Sequence, residues 1–152
     1  MPSKEVIELL RKGNSFARRT KYKEALAHIE KAIALDPRYA ESWYLKGAIL
    51  IDTGKFREGL NDCEKAIALD QNFEKAWSKK ALALFHLERF EDALTASTRA
   101  STLDGNDALA WYVRGVCLDE LGRSDEAQVA YGRSLELEII LDMQAEQKRM
   151  RK

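Results

Sequence analysis

The side chains best suited to catalysis are few and lie far apart in the sequence. The chain contains two histidines, His28 and His86, and two cysteines, Cys63 and Cys117. A catalytic thiol needs a neighbouring base, and neither cysteine has one in its sequence context, so both are interpreted as buried structural thiols. The P-loop, G-x-G-x-x-G, G-x-S-x-G and H-E-x-x-H motifs do not occur. The sequence therefore predicts a protein that is not an enzyme and holds no cofactor.

The composition narrows the classes of partner. Lysine plus arginine and aspartate plus glutamate each number 25, so the formal net charge is zero. Proteins that hold nucleic acid usually carry a basic excess; here only the tail, Lys148–Lys152, is basic, and it is interpreted as solubilising. Two isolated cysteines fit a reducing compartment, and no run approaches the ~18 apolar residues of a membrane span. We expect a cytoplasmic protein that binds neither nucleic acid nor membrane.

A period of 34 residues runs through the chain. Aligning Gly13, Gly47, Ala81 and Gly115 as position 8 of a frame gives four ungapped units, 6–39, 40–73, 74–107 and 108–141. Positions 4, 11 and 17 are then mostly large, positions 20 and 27 are small, and position 31 is acidic. Position 4 holds Leu9, Trp43, Trp77 and Trp111, and position 30 holds Leu35, Leu69, Leu103 and Leu137.

Each unit has the apolar pattern of two helices. In the second unit Trp43, Gly47 and Leu50 lie at i, i+4 and i+7, which is one helical face. The segment 53–55 interrupts this pattern as a short turn would, and residues 60–67 supply a second face. One helix pair cannot bury its apolar faces alone, so the four pairs must stack around a continuous core. The pattern predicts an all-α fold.

These residues resemble the tetratricopeptide repeat, which has this length and pattern. The resemblance covers residues 6–141 and implies a right-handed superhelix of four helix-turn-helix repeats, with the first helix of each repeat on the concave side. One such domain, residues 1–152, is expected. The resemblance implies a non-catalytic adaptor or scaffold that binds a peptide or helix of a partner protein. The alternative is a structural protein that assembles with copies of itself.

The resemblance also implies which side chains face the groove. They lie at positions 2, 5, 6, 9, 12 and 13 of each first helix, and many are apolar here. An apolar strip of several hundred Å² rarely stays unused on a monomer, although some of these side chains could instead pack sideways between first helices. The predicted groove residues are Arg11, Asn14, Tyr44, Leu45, Ala48, Ile51, Lys75, Lys79, Leu82, Phe85, Tyr112 and Val113.

A narrower site can be compared on the same frame. Some members of the family grip a chaperone's C-terminal carboxylate with two lysines, two asparagines and one arginine. Asn14 and Lys75 match that set and Lys79 stands where arginine is usual, but Leu10 and Leu45 replace a lysine and an asparagine, which predicts weak recognition of such a tail. Lys75 and Lys79 are left to hold an acidic residue or to be simply solvated.

A metal site is not expected. Asp52, His86 and Glu120 share position 13, but equivalent positions on packed helices lie roughly 10 Å apart. One tetrahedral ion reaches its ligands over only about 2 Å.

The C-terminal segment departs from the repeat. Earlier units end in a helix breaker, whereas residues 138–147 contain no glycine, proline or asparagine. We predict that the last helix continues unbroken from about Ser124 to near Met150, with 139–150 as an extension. A bend near Glu138, after which the tail folds back as a cap, is the competing interpretation. The apolar residues predicted to form an association surface, for a homodimer or another partner, are Ile139, Ile140 and Met143.

Overall fold

The structure is a computed structural model that describes all residues from Met1 to Lys152. It contains eight α-helices and no β-strand, which confirms the all-α prediction. The helices form four consecutive pairs, α1–α2 to α7–α8. They are α1 (Lys4–Arg18), α2 (Tyr22–Leu35), α3 (Ala40–Asp52), α4 (Phe56–Leu69), α5 (Glu74–His86), α6 (Phe90–Leu103), α7 (Ala108–Glu120) and α8 (Ser124–Met150).

One type of turn joins the two helices of every pair. In the second pair the backbone N–H of Gly54 donates to the Ile51 carbonyl at 3.0 Å, and that of Lys55 donates to the Leu50 carbonyl at 2.8 Å. A residue with positive φ after the helix directs these N–H groups back to the last helical turn. That residue is Thr20 (φ 59°), Gly54 (85°), Glu88 (60°) or Gly122 (76°), always at position 15 of the frame.

The loop between successive pairs is also built the same way each time. The Asp70 carboxylate accepts a hydrogen bond from the Asn72 backbone N–H at 3.1 Å, and Trp77 Nε1 donates to the Gln71 carbonyl at 2.9 Å. The first bond makes a turn that ends α4, and the second ties α5 to the loop. Because the tryptophan uses a backbone carbonyl, the residue there can vary. The equivalent acceptors for Trp43 and Trp111 are the carbonyls of Pro37 and Gly105.

Small residues let the helices of a pair approach closely. Gly47 of α3 lies against Gly59 of α4, so that a Cβ on Gly47 would be 2.9 Å from the Gly59 carbonyl oxygen. Ala25 and Ala93, which stand where Gly59 does in their own repeats, are fully buried. The small positions of the frame are therefore contact points between helices, as the sequence pattern predicted.

The stacking of the pairs creates a concave side. The first helices α1, α3, α5 and α7 contact one another in series, whereas no second helix contacts the next second helix. The layer of first helices is thus the more closely spaced of the two. A stack with one compact layer curves towards it, so the first helices line the inner side.

The last helix extends beyond the stack. α8 runs without interruption from Ser124 to Met150, as predicted, and it does not bend at Glu138. It packs against α7 alone. Its last buried residue is Leu137, and every residue from Glu138 onward is exposed. The fold-back alternative is therefore absent from this structure.

Candidate partner-binding groove

The inner layer carries two depressions. The larger, of about 380 Å³, is lined by side chains of α3 and α5, by the loop before α7 and by the start of α7. The smaller, of about 250 Å³, lies between α1 and α3. Half of the predicted groove residues line one of them. Tyr44, Lys75 and Lys79 line the larger depression, and Arg11, Asn14 and Leu45 line the smaller one.

The remaining predicted residues divide by burial. Tyr112 is 49% exposed, and Ala48, Leu82 and Phe85 are half-buried along the same face. Leu82 and Phe85 pack on the core cluster of the middle repeats while keeping part of their surface accessible. They can therefore contribute both to the fold and to a contact surface.

Two residues predicted to line the groove lie in the core instead. Ile51 is 3% exposed and Val113 is 0% exposed. Ile51 packs onto Gly59, where a Cβ would come within 2.5 Å of the Ile51 Cγ1. Val113 belongs to the buried cluster against which Leu82 packs. Neither side chain is available to a partner, which corrects the expectation for these two positions.

The polar side chains of the larger depression are already engaged with one another. Lys79 Nζ lies 3.0 Å from Asp52 Oδ1, which links α5 to the end of α3. The buried Ser78 hydroxyl donates to the Asp107 carboxylate. Asp107 also accepts from the Ala110 backbone N–H at 3.2 Å and so caps α7. These bonds hold α3, α5 and α7 in register beneath the depression.

Lys75 is the cation that remains available. It is exposed and forms no ion pair or hydrogen bond in the structure. Two carboxyl groups lie in its electrostatic range without an ion-pair partner. Burial raises the pKa of Glu41, and burial followed by repulsion from Asp107 and Asp104 raises the pKa of Glu74, while Lys75 opposes both shifts. The rim of the depression is therefore of mixed charge and not a basic pocket.

The carboxylate-gripping arrangement is not reproduced. Leu10 is 6% exposed and packs in the core of the first repeats, and its aliphatic side chain offers no polar group to a carboxylate. Lys79 is held by Asp52. Only Asn14 and Lys75 stay exposed, and they line different depressions.

The cysteines and His86 have structural environments. Cys63 and Cys117 are both fully buried, and burial raises the pKa of each thiol to about 12. His86 stacks on Phe56 with ring centroids 4.3 Å apart. No group of three or more His, Cys, Asp or Glu side chains converges as a metal site would require. No helix is both long enough and apolar enough to cross a bilayer.

Sequence reasoning missed several members of the larger depression. Leu141, from the extension of α8, forms part of its wall. The sequence feature that could have identified Leu141 is its spacing of four residues from Leu137, which is buried. This spacing places both residues on one helical face. Asp104, Asn106 and Asp107 also line it, because the loop before α7 borders the concave side.

Comparison with known proteins identifies the repeat. A family model described as Tetratricopeptide repeat matches residues 10–72, 49–108 and 78–138. These matches overlap and together span residues 10–138 of the 152. No curated protein sequence matches the chain.

Solved structures share the architecture. MamA 41-end from Desulfovibrio magneticus RS-1 is 23% identical, with 90% of this chain and 77% of that chain covered and a TM-score of 0.77. A thermophilic TPR protein of Thermus thermophilus is 22% identical, with coverage of 88% and 74% and a TM-score of 0.78. The first TPR of Spaghetti (RPAP3), bound to the HSP90 peptide SRMEEVD, is 27% identical, with coverage of 79% and 95% and a TM-score of 0.76. These likenesses confirm the superhelical repeat fold.

Proposed function

Since this chain belongs to the tetratricopeptide repeat family, we propose that it is a non-catalytic protein-binding module that holds a segment of a partner protein along its inner layer. The observation that carries this proposal is the surface of that layer. Two adjoining depressions are lined by accessible apolar side chains with charged groups at their rims. Binding sites for peptides combine such apolar anchors with a polar rim.

The chemistry of the surface favours an amphipathic segment. Tyr44, Leu82, Phe85 and Tyr112 offer partly exposed aromatic and aliphatic surface on three successive first helices. Large aromatic side chains of this kind dominate the energetics of many interfaces. Tyr44 is held by Phe73, with ring centroids 5.0 Å apart, so little rotational freedom is left to lose on binding.

The charged groups around the larger depression are proposed to orient the bound segment, and they contribute less to its affinity. Lys75 can meet an acidic side chain of the segment, while Glu41 and Glu74 can meet a basic one. Spaghetti is similar in fold and was solved with an acidic peptide, but this chain has Leu10 and Leu45 where the family's carboxylate grip needs polar groups. Apolar contacts are therefore proposed as the main source of affinity.

The proposal is tested by charge substitutions on the inner layer. Tyr44→Asp and Tyr112→Asp each place a carboxylate on the proposed contact surface. Neither substitution changes a fully buried side chain of the core. We expect each to reduce capture of partner proteins from a native lysate by tenfold or more, the order expected when an interface anchor is lost. Leu82→Asp should do the same, and circular dichroism checks that the variants stay helical.

Ala27→Asp is the matched control, because Ala27 is an exposed apolar residue on α2, in the outer layer. It adds the same charge to a helix outside the groove, and it should capture the same proteins as the wild type. Partners retained by all three groove variants would overturn the proposal. An equal loss of partner capture in the Ala27→Asp variant would also contradict the proposal, because Ala27 lies outside the groove.

A further inference from the structure

One side of the α8 extension borders the groove. Leu141 forms part of the wall of the larger depression, together with side chains of α3, α5 and α7. It lies about one helical turn beyond Leu137, the last buried residue of α8. Leu141 itself is 56% exposed. Its side chain is therefore not part of the core, although the helix holds it at the edge of a candidate binding site.

The wall of the larger depression has apolar side chains from three separate parts of the chain. Tyr44 comes from α3, Leu109 from the start of α7 and Leu141 from the extension of α8. Tyr44 and Leu109 are half-buried, so both keep surface that a ligand can contact. The volume of about 380 Å³ is enough for one large side chain. An apolar side chain that enters the depression can therefore cover part of all three residues.

The charged groups that line the depression are mainly acidic once internal ion pairs are set aside. Lys79 is neutralised by Asp52, whose Oδ1 lies 3.0 Å from the Lys79 Nζ. Among the lining residues Lys75 is then the one cation without an ion-pair partner, and three carboxylates stand against it. These carboxylates are Glu74, Asp104 and Asp107.

The three carboxylates are close enough to repel one another. Burial, followed by repulsion from Asp107 and Asp104, raises the pKa of Glu74, and Lys75 only partly opposes this shift. Asp107 accepts hydrogen bonds from a serine hydroxyl and a backbone N–H, and Asp104 accepts one from a backbone N–H, but neither has a cation as partner. An incoming cation would relieve this repulsion, whereas an incoming carboxylate would add to it.

We propose that the α8 extension is part of the partner-binding groove, and that Leu141 contacts an apolar side chain that has a lysine or arginine beside it in the bound segment. This inference rests on the proposed function of the groove. The apolar side chain occupies the larger depression between Tyr44, Leu109 and Leu141, and the cation lies at the carboxylates of Glu74 and Asp104. Such a segment is opposite in charge to the acidic peptide bound to Spaghetti.

A phage-displayed library of random peptides is the probe for the chemistry of the segment. The library is selected on the immobilised full chain, and the enriched peptides are sequenced. We expect them to share an aromatic or aliphatic residue with a lysine or arginine next to it or one residue away. Enriched peptides that are acidic, or that lack a basic residue, would contradict the proposal. If no peptide is enriched, the proposal fails together with the groove as a peptide site.

The affinity of one selected peptide then tests Leu141. Leu141→Asn removes the apolar contact without adding a charge that would attract the cation of the peptide, and it should weaken binding about tenfold. Ile139→Asn is the matched control, because Ile139 is 51% exposed on the same extension but lies about 200° around the helix axis from Leu141. It should bind as the wild type does. Fluorescence anisotropy of the labelled peptide measures each Kd, and equal affinities for the two variants would rule out the contact.

A double-mutant cycle tests the cation. Glu74→Gln in the protein, or glutamine in place of the basic residue of the peptide, should each weaken binding about threefold, the order expected for one exposed ion pair. The two changes together should cost no more than either one alone, because both remove the same pair. Lys75→Gln is the control and should not weaken binding. Additive losses, or a loss in Lys75→Gln in place of Glu74→Gln, would refute the proposed position of the cation.

Failure of this inference can be told apart from failure of the groove. If Tyr44→Asp and Tyr112→Asp abolish binding of the selected peptide but Leu141→Asn does not weaken it, the groove stands and the extension is not part of it. If none of these variants changes the affinity, the peptide binds elsewhere and both proposals are wrong. Circular dichroism checks that each variant keeps the helical content of the wild type.

Discussion

Four residues end the first helix of each pair in the same left-handed conformation, but only two of them are glycines. Gly54 and Gly122 adopt positive φ without steric cost, whereas Thr20 and Glu88 have a Cβ there. A side chain in this region costs about 1–2 kcal/mol. The frame shows that position 15 tolerates both kinds of residue, because the surrounding helix pair imposes the turn.

Replacing Glu88 by glycine should therefore stabilise the protein. Relief of the φ of 60° is partly offset by the greater freedom of glycine in the unfolded chain, so we expect a gain of about 0.5–1 kcal/mol. Urea unfolding measures the change in the free energy of unfolding. Gly54→Ala is the reverse control and should cost about 1 kcal/mol. A Glu88→Gly variant no more stable than the wild type would show that this turn is not strained.

Asp62 is a buried charged residue that does not belong to the recurring pattern of the repeat. It is 5% exposed in α4, and its nearest cations, Lys65 and Lys46, lie at 3.9 Å and 4.0 Å. Burial raises its pKa above the ordinary 3.8, and the two lysines only partly oppose this. A raised pKa in the folded state means that the protonated carboxyl stabilises the fold, and that this stabilisation is lost as the pH rises through the raised pKa.

Asp62→Asn should consequently raise the free energy of unfolding at neutral pH. The gain should shrink as the pH falls below the raised pKa and vanish well below pH 3.8, where the wild-type carboxyl is neutral in both the folded and the unfolded state. Urea unfolding of both proteins at a series of pH values measures this. Loss of stability in the variant at neutral pH would mean that Lys46 and Lys65 outweigh the cost of burial.

At the scale of single residues, the sequence predicted the core better than the groove. The positions that recur in every repeat, such as Trp43, Trp77 and Trp111, were placed correctly because the same contact is made three times. Ile51 and Val113 were not, since the burial of a non-recurring side chain depends on its particular neighbours. Ile51 fills the space left by Gly59, where other repeats have alanine. The sequence shows a glycine at position 59, but it does not show that the side chain of Ile51 packs onto this glycine.

At the scale of helices, continuity was predictable from composition. The absence of glycine, proline and asparagine after Leu137 favoured an unbroken α8, and the structure has one. The contact of the extension with the groove was harder to foresee. Leu141 borders the larger depression because α8 runs antiparallel to α7 and emerges beside the start of that helix. That relation requires the packing of the pair and not only its helical pattern.

The side-chain contacts between first helices could likewise not be predicted from the local sequence pattern. Lys79 pairs with Asp52 across 27 residues, from position 6 of one repeat to position 13 of the one before. The frame indicates which helices are neighbours, but not which side chains meet between them. This pair is also what removes Lys79 from any grip on a partner's carboxylate.

On the scale of the whole molecule, contacts are confined to neighbouring helices. Each helix packs on the next one in the chain, and each first helix also touches the next first helix. In such a stack, stability is the sum of the repeats and their interfaces, and a terminal element has one interface instead of two. Residues 138–152 are all exposed, and none of their side chains is buried against another helix. The stack should therefore open most readily at this end.

Hydrogen exchange should show this gradient. Amides of 139–150 should exchange fastest among the helices, because only the helix itself protects them, and those of α4 and α5 should exchange slowest. Mass spectrometry of deuterated peptides measures the exchange of each segment. Strong protection of 139–150 at every concentration would instead mean that the extension packs on its own repeats in solution.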